Sequence, residues 1–139
     1  MSTADNKRLI EQYFAFGRQG DNAAAAELLH EDFVYTCKGK TPETIATCGK
    51  AALVAAQERA PALWKTPVTI TVLGMTAEDD RVAVEAESHG ELHSGQHYNN
   101  AYHFLIRVKD GKIASIDEYF CTATFTNVIF TARGTPAGT

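Results

Sequence analysis

One carboxylate stands out by its position and not by any motif. In DGKIASIDEYFC, residues 110 to 121, the chain alternates as a strand does, and Ile116, Glu118 and Phe120 fall on one face. A carboxylate between two large apolar neighbours must be neutralised, hydrogen-bonded or wet, because an unpaired buried charge is costly. Desolvation raises its pKa towards the working pH, which suits a general acid or base. Proton transfer in an apolar pocket with a polar end is the chemistry this position offers. The plainer account is a satisfied buried acid, or one at the wet rim of a sheet. The residue types leave both open.

Other reactive side chains are less well placed. His89, His93 and His97 recur every four residues, but their segment alternates as a strand. Four strand residues span about 13 Å, too far for ligands sharing one ion through bonds of about 2 Å, so no metal site is expected. Cys37, Cys48 and Cys121 are an odd set without CxxC spacing and read as reduced thiols. Cys121 is out of phase with Glu118 and points away from it on a regular strand. Tyr35 and Trp64 can line a pocket or simply fill the core. Asn99 and Asn100 are turn or edge residues by type, although Asn100 shares the face of Tyr102.

The elements that must position Glu118 are legible from period. Leu9, Tyr13 and Phe16, with Ile10 and Phe14 alongside, predict a first helix stopping near Gly20. Asp21 caps a second over NAAAAELLHEDF, the short strand FVYTC follows, and a third helix covers GKAALVAAQERAPAL as far as about Pro61. After Pro67 the period falls to two. VTITVLGM, RVAVEAESHGEL, HYNNAYHFLIRV and KIASIDEYFCTATF alternate, separated by EDD, HSGQ and KDG. Helices followed by sequential strands imply α+β, an antiparallel sheet curling round helices on one face and leaving a pocket between them. Pocket shape then depends on how Phe14, Phe16, Trp64 and Phe120 pack.

The turn VKDGKI decides what faces Glu118. A two-residue Asp110–Gly111 turn pairs Lys109 with Lys112 and sets Glu118 across from His103. A three-residue loop with Gly111 as a bulge pairs Val108 with Lys112, setting Glu118 against Tyr102 and Ile116 against Phe104. The second gathers Phe104, Ile106, Val108, Ala114, Ile116 and Phe120 on one face, so burial favours it. Leu105, Ile113 and Tyr119 then lie on the other face, an apolar patch of the kind that marks a homodimer interface.

The totals exclude several classes. A chain of 139 residues, 45% hydrophobic and 22% charged, fits one folded domain, assigned to residues 1–130, with 131–139 as a loose tail. A net charge of −4 without a basic patch argues against a nucleic-acid partner. No apolar run approaches the about 20 residues a bilayer needs, and the polar start carries no secretory signal, so a cytoplasmic place is expected.

Taken together, YFAFGRQGDNAAAAELLHEDFVY, GKAALV and YNNAYHFLIRVKDGKIASIDEYF resemble the SnoaL-like and ketosteroid-isomerase-like branches of the nuclear transport factor two-like superfamily, over residues 7 to 130. The resemblance implies a cone-shaped α+β roll with an apolar pocket, usually in a homodimer packed through the open sheet. It implies that Tyr13 stands where ketosteroid isomerase has its oxyanion-donating tyrosine, and that Ile116, Glu118 and Phe120 line the pocket. The departures are specific. Cys37 stands where that isomerase has its base aspartate, Phe104 or His103 where it has a second, protonated acid, and Cys121 where SnoaL-like chains often carry an aspartate.

Two functions follow. One is a cofactor-free enzyme acting on a small apolar carbonyl compound by isomerisation, cyclisation or dehydration, with Glu118 moving a proton and Tyr13 or Tyr102 donating to the oxyanion. Its pocket would be built from Phe16, Tyr35, Trp64, Asn100, Phe104, Ile116 and Phe120. The other is a non-catalytic ligand-binding or dimerising module, which the missing acids favour.

Overall fold

Ser2 and Asp5 cap each other at the start of the first helix: the Ser2 hydroxyl accepts the Asp5 N–H, and the Asp5 carboxylate accepts the Ser2 N–H, both at 3.1 Å. That helix, α1 (Thr3–Arg18), buries Ile10 and Phe14, one turn apart, against the sheet. Gly20 follows at φ 75°, a conformation glycine takes without strain, and lets Asp21 turn to cap the next helix by accepting the Ala24 N–H at 3.1 Å. The computed structural model describes residues 1–41 and 47–130. The expected tail, 131–139, lies outside the described residues.

The remaining elements are α2 (Asn22–Glu27), β1 (Leu29–Cys37), β2 (Thr47–Gly49), α3 (Lys50–Arg59), β3 (Trp64–Glu78), β4 (Arg81–Leu92), β5 (Asn100–Lys109), β6 (Lys112–Phe120) and α4 (Thr122–Phe125), which runs on as a wide turn over Thr126–Phe130. The architecture is α+β: N-terminal helices on a six-stranded, curled, unclosed sheet of order β2-β1-β6-β5-β4-β3. It is mixed, not wholly antiparallel as expected. β1 runs parallel to β6, pairing Tyr35 with Ile116 and Cys37 with Glu118. Nothing local in β1 fixes that direction; it follows from the long crossover through α3 and the hairpins.

Two boundaries differ from the sequence reading. The second helix stops at Glu27, because the Leu28 carbonyl accepts the Ile113 N–H at 2.9 Å and strand pairing takes over from Leu29. Leu29 and Phe33 are then buried on the sheet face and not on a helix stripe. The third helix ends at Arg59, and Pro61 sits in a tight turn beyond it.

The β5–β6 hairpin also departs from expectation. Asp110 and Gly111 both take positive φ, 53° and 72°, and form a two-residue turn pairing Lys109 with Lys112. The bulge falls later, at Ala114, between the pairs Val108–Ile113 and Arg107–Ser115. It shifts the register so that Glu118 faces Phe104, and Phe120 faces Tyr102. Neither predicted neighbour, Tyr102 or His103, stands opposite Glu118. The bulge also turns Ile113 inward to 0% exposure, which removes it from the proposed outer patch.

Two apolar clusters result. The larger joins Ile10 and Phe14 to Phe33, Val84, Ile106 and Ile116. The smaller, around Leu92, Tyr98 and Ile129, is covered by the C-terminal segment and packs against Trp64. Among the described residues no helix is long and apolar enough to cross a membrane.

Candidate functional site

A cavity of about 390 Å³ lies between the C-terminal half of α1, α3 and the inner face of the sheet. Helix α1 supplies Tyr13, Phe14 and Gly17 to it; β1 supplies Tyr35; β5 and β6 supply Phe104, Ile116 and Glu118. The first strand after the helices contributes Trp64, Val68 and Ile70. Trp64 and Val68 come close to β4 at Gly90, where there is no side chain. A Cβ there would stand 3.2 Å from the indole and 3.1 Å from Val68.

Glu118 is held from β1. Alternation puts Tyr35 and Cys37 on the same face of that strand, and the parallel pairing brings both to β6. The Tyr35 hydroxyl donates to Glu118 Oε1, and the Cys37 thiol donates to Oε2 at 3.6 Å. Burial pushes the Glu118 carboxyl above the ordinary glutamate range, while the Tyr35 and Cys37 hydrogen bonds pull it back, and the net direction is upward.

The groups around it stay protonated. Burial raises Tyr35 well above the usual tyrosine value, and the neighbouring Glu118 charge adds to the rise. Cys37 is pushed up to about 12 by the same two causes, so it serves as a donor and not as a thiolate nucleophile. Tyr13 is pushed up to about 12 by burial and by Glu118. Among the described residues the Tyr13 hydroxyl has no hydrogen-bond partner. Tyr13 is one of the residues that line the cavity.

Of the residues singled out in the sequence, Tyr13, Tyr35, Trp64, Phe104, Ile116 and Glu118 line this cavity; Phe16, Asn100, Tyr102 and Phe120 do not. Asn100, 5% exposed, donates to the Tyr98 hydroxyl at 2.7 Å and the Cys121 carbonyl at 3.0 Å, and its Oδ1 accepts the Ala101 N–H at 2.8 Å. The Tyr102 hydroxyl donates to Tyr98 at 3.1 Å, away from Glu118. Phe120 packs on the Phe125 ring, 5.4 Å between centroids, and approaches Gly39 so closely that a Cβ there would stand 2.8 Å away. Phe16 is half-buried outside both clusters.

The histidines have separate neighbours. The His93 ring lies 2.8 Å from the Pro61 carbonyl, and the His89 ring lies between Asn99 and Glu87. Among the described residues no group of three His, Cys, Asp or Glu side chains is arranged to hold a metal ion.

Residues 10–116 match the SnoaL-like domain family. The chain belongs to that family. Solved structures agree on the fold. A nuclear transport factor two-like protein from Burkholderia xenovorans is 27% identical, with a TM-score of 0.73, and the match covers 91% of this chain and 97% of that one. A provisionally named isomerase from Bacillus subtilis is 20% identical, with a TM-score of 0.77 and coverage of 94% and 96%. A provisionally named polyketide cyclase from Xanthomonas campestris is 21% identical, with a TM-score of 0.72 and coverage of 88% and 95%. No curated protein matches the chain.

In this SnoaL-like domain the sequence pointed to Tyr35 only as a lining or core aromatic and to Cys37 only as a reduced thiol standing where a relative has an aspartate. Their joint hold on Glu118 depends on β1 lying parallel beside β6. The alternation of Phe33, Tyr35 and Cys37 signals a shared face, but not which strand that face meets. Arg18, Leu53 and Gln57 also line the cavity and carried no prior signal.

Proposed function

We propose that this SnoaL-like protein binds a small apolar carbonyl compound in the cavity and moves a proton on it without a cofactor. Glu118 removes a proton from the carbon next to the carbonyl. The C–H electron pair passes to the carbonyl oxygen, and the Tyr13 hydroxyl donates to the oxyanion as it forms. Returning the proton to a different carbon completes an isomerisation. Attack of the enolate on a second carbonyl completes a cyclisation, and loss of a β-hydroxyl as water completes a dehydration. The observation that carries the reading is the Tyr13 hydroxyl without a protein partner, in the same cavity as a carboxylate whose burial raises its pKa.

The test needs no natural substrate. In deuterium oxide, exchange of the α-protons of small apolar ketones is followed by NMR with parent protein and Glu118→Gln. The parent should accelerate exchange for at least one ketone, and the variant should lose about 100-fold. Exchange in the variant within about threefold of the parent would dispose of the assignment.

A second reading, a non-catalytic binder, is favoured by the two donors already on Glu118. It expects no acceleration by either protein. A homodimer through the open sheet belongs to the same proposal, since Tyr119 and Val34, 47% and 40% exposed, and the half-buried Leu105 lie on the face away from the helices. Light scattering showing a monomer at micromolar concentration would refute it.

A further inference from the structure

Among the described residues that line the cavity, Glu118 and Arg18 alone carry full charges. Glu118 is mostly buried on the sheet side, whereas Arg18 is exposed in the last turn of α1, at the rim. The favourable place of a cation at a helix C-terminus accounts for an arginine there. It does not account for where the guanidinium goes. Nη1 donates across the rim to the Ile70 carbonyl of β3 at 3.2 Å, and Ile70 is itself a lining residue. That tie fixes one edge of a five-donor fork over the opening and leaves the other donors for a bound molecule.

The surroundings keep the fork uncovered. Gly17 and Gly20 flank it in sequence and also line the cavity, and a Cβ built at either meets nothing within 4 Å. The other polar residues towards the helices, Asn22 and Gln57, are neutral amides. An anion at the rim therefore meets one fixed cation and no lining carboxylate nearer than Glu118.

We infer that the cavity selects amphipathic anions: an apolar body that fills the interior, with a carboxylate or comparable anionic group held at the rim by Arg18. The inference rests on the reading of the cavity as a ligand site but not on the proton chemistry at Glu118. A substrate of this class would be oriented end to end. Its anionic group would remain with Arg18 while the carbonyl lies between Tyr13 and Glu118.

The experiment uses two dyes of nearly the same body, anionic 1-anilinonaphthalene-8-sulfonate and neutral N-phenyl-1-naphthylamine. Trp64, the single tryptophan of the chain, lines the cavity, and binding is followed by energy transfer from it, with competition between the two dyes showing that they share one site. The parent should bind the anionic dye about three- to tenfold tighter, and raising the salt should shrink that preference. Arg18→Gln should bring the two affinities together by weakening the anionic dye alone. Equal affinities in the parent, or a preference that survives Arg18→Gln, would overturn the inference while leaving the cavity as a ligand site. Failure of both dyes to bind would overturn the ligand-site reading and the inference with it. Arg18 is exposed, so Arg18→Gln should fold as the parent does, which circular dichroism checks.

Discussion

Two polar clusters lie near each other on the sheet: in one, Asn100, Tyr98, Tyr102 and Ser88 close on one another; in the other, Tyr35 and Cys37 hold Glu118 while the Tyr13 hydroxyl has no protein partner among the described residues. Both clusters put polar atoms among apolar neighbours. In the first, each Asn100 side-chain atom that can bond does so, and the result fastens the β6 end through the Cys121 carbonyl. In the second, a donor is left over and a cavity stands beside it. A closed network serves folding, because breaking it strands buried groups. An open one is suited to a ligand, because the missing partner arrives from outside.

The widest separation between the clusters should come from Asn100→Ala. It removes one of two donors from the Tyr98 hydroxyl, which keeps Tyr102, and one of two from the Cys121 carbonyl, which keeps the Phe125 N–H, and it takes the acceptor from the Ala101 N–H. Urea unfolding should show a loss of about 2 kcal/mol. Dye binding in the cavity should be unchanged. A stability loss under about 0.5 kcal/mol would mean the first cluster is not the closed structural network described here.

Next in size is Tyr35→Phe, which removes one of two donors from Glu118. Stability should fall by about 1 kcal/mol, and the Glu118 pKa should rise further because the lost bond favoured the carboxylate. An unchanged titration would show that Tyr35 does not act on Glu118.

A smaller effect is expected in the pH dependence of stability. The folded chain holds the Glu118 proton more tightly than the unfolded chain does, since burial raises the group from about 4.5. Between the ordinary and the raised value folding therefore takes up a proton. Stability relative to Glu118→Gln should fall as pH rises through that window and level off above it. A difference that grows with pH would reverse the sign of the shift.

The smallest change in stability should come from Tyr13→Phe, within about 0.5 kcal/mol, because no protein hydrogen bond is lost. Its effect on ketone exchange should be large by contrast, about 100-fold. A substantial loss of stability would place Tyr13 with the closed cluster instead.

How far the sequence reveals these clusters depends on range. The capping of α2 by Asp21, the alternation of β4 and the place of a turn at Asp110 and Gly111 are local and readable, since each rests on residues a few positions apart, although burial favoured the three-residue form of that turn and the structure has the two-residue one. Glu118 was legible for the same reason, as a charged residue on an apolar strand face. The bulge at Ala114 was not, because Asp-Gly signals a turn without saying whether the extra residue falls in it or three positions later. That displacement moved Tyr102 away from Glu118 and Ile113 into the core. The parallel pairing of β1 with β6 spans some eighty residues and has no local trace, so Tyr35 and Cys37 could be seen on one face but not in contact with Glu118.

The decisive observation is a direct titration of the carboxyl at position 118. Carbon-13 NMR of the labelled side chain, assigned by the signal missing in Glu118→Gln, gives its midpoint in the intact protein. A value above the ordinary glutamate figure of about 4.5 is predicted, from burial outweighing the two hydrogen bonds. A midpoint at or below that figure would describe a carboxylate charged throughout the working range and comfortably solvated, and would contradict its role as a proton carrier.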